Sequence, residues 1–302
     1  MTAAISLPLR IGARTVWRVK RRLVPVTVAL EEGLKGTRPA LSPLPAGADG
    51  YIIRALPAAQ LDALAREQPD LRPFVRQRYQ RSYASLEGGF DAYMAGFSAK
   101  SRSTLRRKLK KLAERSGGTL DVRACRTAEE VEAFHRHART VSAKSYQERL
   151  LNAGLPDGEE ALAEMRDRAR RDAIRGWLLF LDDEPISYLY APAEGETLIY
   201  AYLGYDPAYA EYSPGTVLQL EAMRDLMEQG RFRLFDFTEG EGQHKRQFRT
   251  GTLECVDLLL LRPSLANLLV GHALNGFDRT VAIAKTAARG LRVEKLARAF
   301  LR

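Results

Sequence analysis

The stretch that most limits the fold is Leu198 to Phe248, LIYAYLGYDPAYAEYSPGTVLQLEAMRDLMEQGRFRLFDFTEGEGQHKRQF. Its signals predict strand, loop, helix, strand and a charged turn. Leu198 to Leu203 is rich in β-formers and aromatics. Pro207 breaks the segment that follows. Ser213 stands in the capping place and Pro214 at the first helical position, where no N–H is lost. Val217, Leu220, Met223, Leu226 and Met227 recur at helical spacing, and Gly230 ends the helix. Phe232 to Phe237 is a short apolar run, the pattern of a buried strand. In such a β-loop-α-β unit the unpaired N–H groups of the helix start, from Tyr212 through Ser213, Gly215 and Thr216 to Val217, point beyond the strand ends. That is a place for an anion such as a pyrophosphate. An ordinary capped helix explains the same residues.

Three pieces of this stretch, YDPAYAEYSPGTVL, FDFTEG and HKRQF, join with SAKSRSTLRRKLKKLAERSGGTLDVR at Ser98 to Arg123. As a set they resemble the GNAT-type acetyltransferase domain of CelD-like proteins of cellulose and exopolysaccharide biosynthesis, relatives of the FemAB peptidyltransferases. The likeness spans residues 90 to 255. It implies a GNAT-like α/β (α+β) fold, a mixed and mostly antiparallel sheet flanked by helices. It implies acyl transfer from acetyl-CoA or another acyl-CoA, without a metal, in bacterial envelope or exopolysaccharide metabolism. The acceptor is an amine or hydroxyl on a small molecule or saccharide. The FemAB relationship leaves an aminoacyl-tRNA donor open, and a non-catalytic GNAT-like module that binds nucleic acid or an anionic membrane is the other alternative. The chain departs from the pattern twice. His244 stands where the family has an aromatic, and the Gln/Arg-x-x-Gly-x-Gly/Ala signature of ordinary acetyl-CoA enzymes is missing.

The chain has 302 residues, enough for a large core in one domain or two. A net charge of +10 favours anionic partners without choosing among a nucleotide-bearing substrate, nucleic acid and an anionic membrane face. Two cysteines far apart, Cys125 and Cys255, give no metal-ligand spacing. The N-terminal apolar run is too short for a signal peptide, and basic residues follow rather than precede it. No window approaches 18 apolar residues, so no membrane span is expected. The expectation is a cytoplasmic protein or one peripheral to the inner face of the membrane. Trp17 among Arg14, Arg18, Lys20, Arg21 and Arg22 reads either as a loosely packed basic arm or as a contact for an anionic membrane. The expected division is a basic arm and linker at 1–50, a GNAT-like domain at 51–262 and a helical extension at 263–302.

Tyr51 to Leu56 reads as a strand and Pro57 to Glu67 as a helix. Gln68 to Tyr83 interleaves arginines with Phe74, Tyr79 and Tyr83. That pattern suits a half-buried helix with snorkelling arginines or a surface for single-stranded nucleic acid. Ser101 to Arg115 is a basic helix with Leu105, Leu109 and Leu112 buried. Its Arg106, Arg107, Lys108, Lys110 and Lys111 form a solvated face or face an anion at the edge of the cleft. Thr127 to Glu130 is a capping box opening a helix with Val131, Phe134, Ala138 and Val141 inward. His135 and His137 lie on different faces of it and cannot share a metal. Residues Glu159 to Arg171 form a charged helix, and Gly176 to Leu203 a three-strand meander. Thr252 to Leu261 is a leucine-rich strand. Beyond Pro263 the chain reads as helical, with Leu265, Leu268, Leu269 and Leu274 on one apolar face.

Acyl transfer needs a clamp for the donor, a group that polarises the thioester and a proton acceptor for the nucleophile. The clamp falls to Tyr212–Val217, where Gly215 lets backbone approach a phosphate. Proton transfer falls to Glu239, Glu241 and His244, with Gly240 and Gly242 letting Glu239 fold back toward the ring. Tyr202 and Tyr205 are candidates to donate to a carbonyl or thiolate. Lys245 and Arg246 are candidates to hold an anionic substrate group. Asp236 reads as structural.

Overall fold

The computed structural model describes residues 3–11, 14–145, 154–240 and 242–277. The chain divides into two compact units. Unit 1 is Met1–Gln80 with Leu253–Arg302, and unit 2 is Arg81–Thr252.

In unit 1, β1 (Ala3–Ile11) and β2 (Arg14–Thr27) form an antiparallel pair. β2 runs parallel to β3 (Gly50–Pro57), and β3 is antiparallel to β11 (Gly251–Leu261). The basic stretch read as a loose arm is therefore strand. Alternation in β3 and β11 feeds two cores. Tyr51, Ile53, Val256, Leu258 and Leu260 face one side with Leu64 of α2 (Leu61–Glu67), while Ile52, Leu259 and Leu261 face the other with Leu7 and Leu23. A sheet covered on both faces reads as an unbroken apolar run, which is why β11 is leucine-rich. A short helix, α1 (Leu30–Leu34), follows β2. Residues 265–277 are helical. In that helix Leu274 is buried, but Leu265 and Leu269 are 83% and 71% exposed, so the four leucines do not share one buried face. The rest of the expected C-terminal extension lies outside the described residues.

The segment 68–83 is no helix. Residues Arg72–Ser85 form strand β4, which begins in unit 1 and ends in unit 2. Its arginines and aromatics alternate at short range, and over so few residues that interleaving fits a period of two as well as one of 3.6.

Unit 2 carries α3 (Gly89–Ala95), α4 (Ala99–Arg115), β5 (Asp121–Cys125), α5 (Ala128–Lys144) and α6 (Glu159–Arg170). Then come β6 (Ile174–Leu181), β7 (Glu184–Glu194), β8 (Thr197–Ile199) and β9 (Tyr202–Tyr205). The unit closes with α7 (Pro214–Gln229), β10 (Leu234–Glu239) and α8 (Gln243–Phe248). Strand pairing runs β4-β10-β8-β7-β6-β5, antiparallel except between β8 and β10. Helices cover both faces. α7, with α3 and α4, packs on one side over Trp177, Leu179, Leu189 and Phe235. α5 and α6 pack on the other over Ile174, Leu178, Phe180 and Tyr190. The architecture is the mixed α/β, mostly antiparallel arrangement expected. The capping box at Thr127 is formed as read. His135 Nε2–H donates to Pro156 O (2.9 Å) and His137 packs edge-on to Phe180, so both serve structure.

Candidate active site

The run Leu198–Leu203 is not one strand. β8 pairs with β7 at Ala193↔Leu198, and β9 resumes at Tyr190↔Tyr202, one residue out of step. The extra residue is a bulge at Tyr200–Ala201. Up to Ile199 the chain also pairs with β10, and the Tyr200 N–H donates to Asp236 O (2.8 Å). Beyond that point β9 follows β7 alone. The sheet of unit 2 therefore splits between β9 and β10.

The bulge also changes which side chains meet. Tyr200 and Leu203 pack with the α7 face, while Ala201 and Tyr202 pack with the α5–α6 face. Tyr202 stacks on Tyr190, with ring centroids 6.4 Å apart. It is thus on the other side of the sheet from His244 and does not join it. Tyr200, with no role assigned from sequence, takes the central place instead. Its ring lies 5.2 Å from His244, 5.9 Å from Phe237 and 5.7 Å from the Lys245 ammonium. Burial raises the Tyr200 hydroxyl pKa, so it stays protonated and a donor.

The end of β10 is held in an uncommon conformation. Thr238 has φ +61°, and the Asp236 carboxylate accepts from the Thr238 N–H (2.8 Å). The other Asp236 oxygen accepts from Arg81 Nε (3.0 Å) and a terminal guanidinium nitrogen (2.6 Å), both partners being buried. Lys245 closes the turn. Its ammonium donates to Phe237 O (2.5 Å), Glu239 O (2.6 Å) and Thr238 Oγ1 (3.4 Å). Lys245 therefore braces the strand end, and its three donors are not free for a substrate anion. Burial lowers its pKa. Asp236 is structural, as read.

His244 sits in the first turn of α8, and its Nε2 is buried without a hydrogen-bond partner among the described residues. Burial first, and the Lys245 charge second, lower its pKa to about 4. The imidazole is neutral at pH 7. The Glu239 side chain is exposed at the far end of β10, and Arg246 is exposed on α8. Glu241 lies outside the described residues.

The start of α7 differs from a simple N-cap. Ser213 has φ +53° and its side chain makes no capping bond. The Ser213 N–H donates to Ala210 O, and the Thr216 and Val217 N–H groups both donate to Ser213 O. Three of the donors expected to face an anion are thus spent within the turn, and Val217 is 1% exposed. Two cationic side chains of α4 lie beside this segment. Lys108 Nζ reaches Thr216 Oγ1 (3.3 Å), and Lys111 Nζ reaches Glu211 and lies 4.7 Å over the Tyr212 ring. Desolvation, and then the Arg107 charge, lower the Lys108 pKa. Gly215 is pressed against β9, where a Cβ would lie 3.0 Å from Leu203 Cδ2 and 3.5 Å from Tyr205. Tyr205 therefore joins Tyr212, Ser213, Gly215 and Thr216. Leu203 stands three residues from Tyr200, so this group and the His244 group share a sheet face ~10 Å apart.

Lys108 was legible only as one of five cations. The signal that separates it and Lys111 from the rest is their position beside the Leu105–Leu109–Leu112 stripe. Among the described residues no group of His, Cys, Asp and Glu is placed to hold a metal.

Residues 99–246 match the family model described as Acetyltransferase (GNAT) domain. Two solved structures share the fold. The C-terminal domain (DUF2156) of a putative lysylphosphatidylglycerol synthetase from Agrobacterium fabrum is 15% identical, covering 78% of this chain and 73% of that one, with a TM-score of 0.52. FemX is 11% identical, covering 74% and 75%, with a TM-score of 0.53. No curated protein matches the chain. Residues 99–246 thus match an acetyltransferase (GNAT) domain, and the two solved structures show the same fold.

Proposed function

We propose that the protein transfers an acyl group from acyl-CoA to an amine or hydroxyl acceptor. The observation that carries this reading is the contact of Lys108 with Thr216 in the first turn of α7, beside Gly215 and Tyr205. A partly desolvated lysine at a helix start, with Lys111 held beside it by Glu211, supports a site for the donor's phosphates. Thr216 and Tyr212 line that site.

Transfer to an amine forms a C–N bond, breaks a C–S bond and releases one proton from the nitrogen. Attack makes that nitrogen far more acidic, so a weak base suffices to take the proton. His244 is such a base, neutral and with a buried, unpaired nitrogen. The Tyr200 hydroxyl on the same sheet face stays protonated and serves as the donor to developing charge. To Arg246 and Glu239, both exposed, we assign contact with the acceptor.

The acceptor class we assign is a small molecule or saccharide of bacterial envelope or exopolysaccharide metabolism, by resemblance to CelD-like proteins. A site on a protein peripheral to an anionic membrane fits the charge of +10. No helix among the described residues is long and apolar enough to cross a membrane. A second reading, aminoacyl-tRNA as donor, is favoured by the exposed Arg106, Arg107 and Lys110 face of α4 and by the fold shared with FemX.

Titration with acetyl-CoA, a long-chain acyl-CoA, tRNA and anionic vesicles at two salt concentrations separates these. Saturable acyl-CoA binding, retained at the higher salt and lost in Lys108→Met, supports the first reading. Tight tRNA binding with no acyl-CoA binding supports the second and overturns the first.

A further inference from the structure

We infer that unit 1 carries a binding site of its own, a cleft that takes a small anionic amphiphile, with one phosphate or carboxylate head on an apolar body. The cleft has a volume of about 820 Å³ and is lined by residues of unit 1 alone, outside the matched segment 99–246. Ligand pockets are typically ~300–1,000 Å³, largely apolar, with a few polar groups that fix orientation. The floor here is Tyr51 and Leu71, both buried, with Leu44 half-buried beside them, and all three belong to one core of the unit. The cationic groups are Arg72, the first residue of β4, and Arg262, just past the end of β11. Asp70 is the one carboxylate in the lining, so the cleft is net positive.

One wall comes from an irregular stretch, residues 37–45, and side chains fix that stretch along its length. Gln60 Nε2 donates to Thr37 O (3.3 Å), and Arg38 pairs with Glu67 (2.5 Å). The Tyr51 hydroxyl donates to Ser42 O (2.5 Å), and Arg262 donates to Leu44 O (3.4 Å). Pro43, Pro69 and Pro263 stiffen the lining, since each fixes its own φ. The cleft is therefore preformed, and a ligand entering it has little chain left to order. Burial raises the Tyr51 hydroxyl pKa and the Arg262 charge opposes that rise, so this guanidinium lies close to the floor. Its bond to Leu44 O uses one terminal nitrogen, and Arg72 has no hydrogen-bond or ion-pair partner among the described residues. Guanidinium forks match the oxygens of a phosphate or carboxylate, and the apolar floor suits the body of the same molecule. A bare anion would leave the floor unused, and a neutral amphiphile would leave the forks unpaired.

The test is calorimetric titration of the full chain with octyl phosphate, inorganic phosphate and octyl glucoside, as wild type, Arg72→Gln, Arg262→Gln and Lys108→Met. Octyl phosphate is expected to bind saturably, at least about tenfold more tightly than the head alone or the neutral amphiphile. Each arginine variant should weaken it about tenfold. Arg72 is exposed, so Arg72→Gln should melt with the wild type. Lys108→Met, altered at the donor site in unit 2, should bind octyl phosphate as wild type does. Wild-type protein that does not bind octyl phosphate overturns the inference. Equal binding of octyl glucoside or of inorganic phosphate also overturns it, as does unchanged affinity in both arginine variants. Loss of binding in Lys108→Met overturns it too, because the ligand then occupies the donor site. The donor reading is tested separately by CoA, and its failure leaves this cleft standing. Phosphatidylcholine vesicles with and without phosphatidic acid identify the source of the head. Acid-dependent vesicle binding that Arg72→Gln abolishes assigns it to a membrane lipid, and any other vesicle result assigns it to a soluble molecule.

Discussion

His244 concentrates what a single residue decides. Its neutrality at pH 7 was readable from a helix start and an adjacent lysine, but the larger cause is burial against Tyr200, a tertiary effect. The expected return of Glu239 to orient the ring was not met by geometry, because Lys245 occupies the inside of the turn and leaves the Glu239 side chain outward. Tyr202 faces away from His244 for a related reason. One inserted residue shifts the alternation of the strand, and nothing in LIYAYLGY marks where it falls. Two outcomes test the histidine. His244→Gln is expected to lower the acyl-transfer rate by about 10²–10⁴ with little change in donor affinity. His244→Phe restores the ring without the nitrogen, and full activity in it would show that the ring only packs. The second outcome is a pH dependence of stability. The folded pKa of about 4 lies below the ordinary 6.5, so as pH falls through 6.5 the unfolded chain takes up a proton that the folded chain refuses. Stability tied to this group is therefore full above pH 6.5 and is lost down to about pH 4. After allowing for the ring's partial exposure the loss is on the order of 2 kcal/mol. Denaturant midpoints measured from pH 7 to 4 should fall more steeply in wild type than in His244→Phe.

Among the elements, α7 and its neighbours were the most legible, because a long amphipathic helix with Pro214 at its start and Gly230 at its end is specified locally. Strand β4 was not legible, since whether arginines lie along a helix or a strand depends on the partner they pack against. Gly215 shows how the two combine. A Cβ there meets Leu203 at 3.0 Å, so the valine variant crowds β9 as well as any ligand. Gly215→Val is expected to destabilise by about 1–3 kcal/mol, while Gly215→Ala perturbs the fold less. Weakened CoA binding by a well-folded Gly215→Ala protein, measured by titration, is the cleaner check on the clamp. On α4 the cations fall into two sets. Arg106, Arg107 and Lys110 are exposed, and changing all three to Gln should shift stability by less than about 0.5 kcal/mol. The same change should flatten the salt dependence of polyanion binding. An unchanged salt slope would reduce this face to solvated surface and remove the support for tRNA.

At the scale of the whole molecule the division into units was not legible, because it depends on strands from the two halves of the sequence coming together. The expected boundaries at residues 50 and 262 follow composition. Those found fall within β4 and near the start of β11. The composition of unit 1 has a consequence for synthesis. Strand β3 lacks its partner β11 until about 190 further residues have been made. At ~5–20 residues per second that wait is on the order of 10–40 s. For all of it Ile52, Ile53 and Leu56 present an apolar strand with one edge unpaired, the kind of surface that templates aggregation. Unit 2 has no such debt, since Arg81–Thr252 is continuous. In chains stalled on the ribosome, protease resistance should appear in unit 2 before unit 1, and in unit 1 only once Leu261 has left the exit tunnel. The nascent protein is thus a natural client for a chaperone that shields strand edges. The severity of mutations in β3 should track how fast the ribosome reaches the far end of the message.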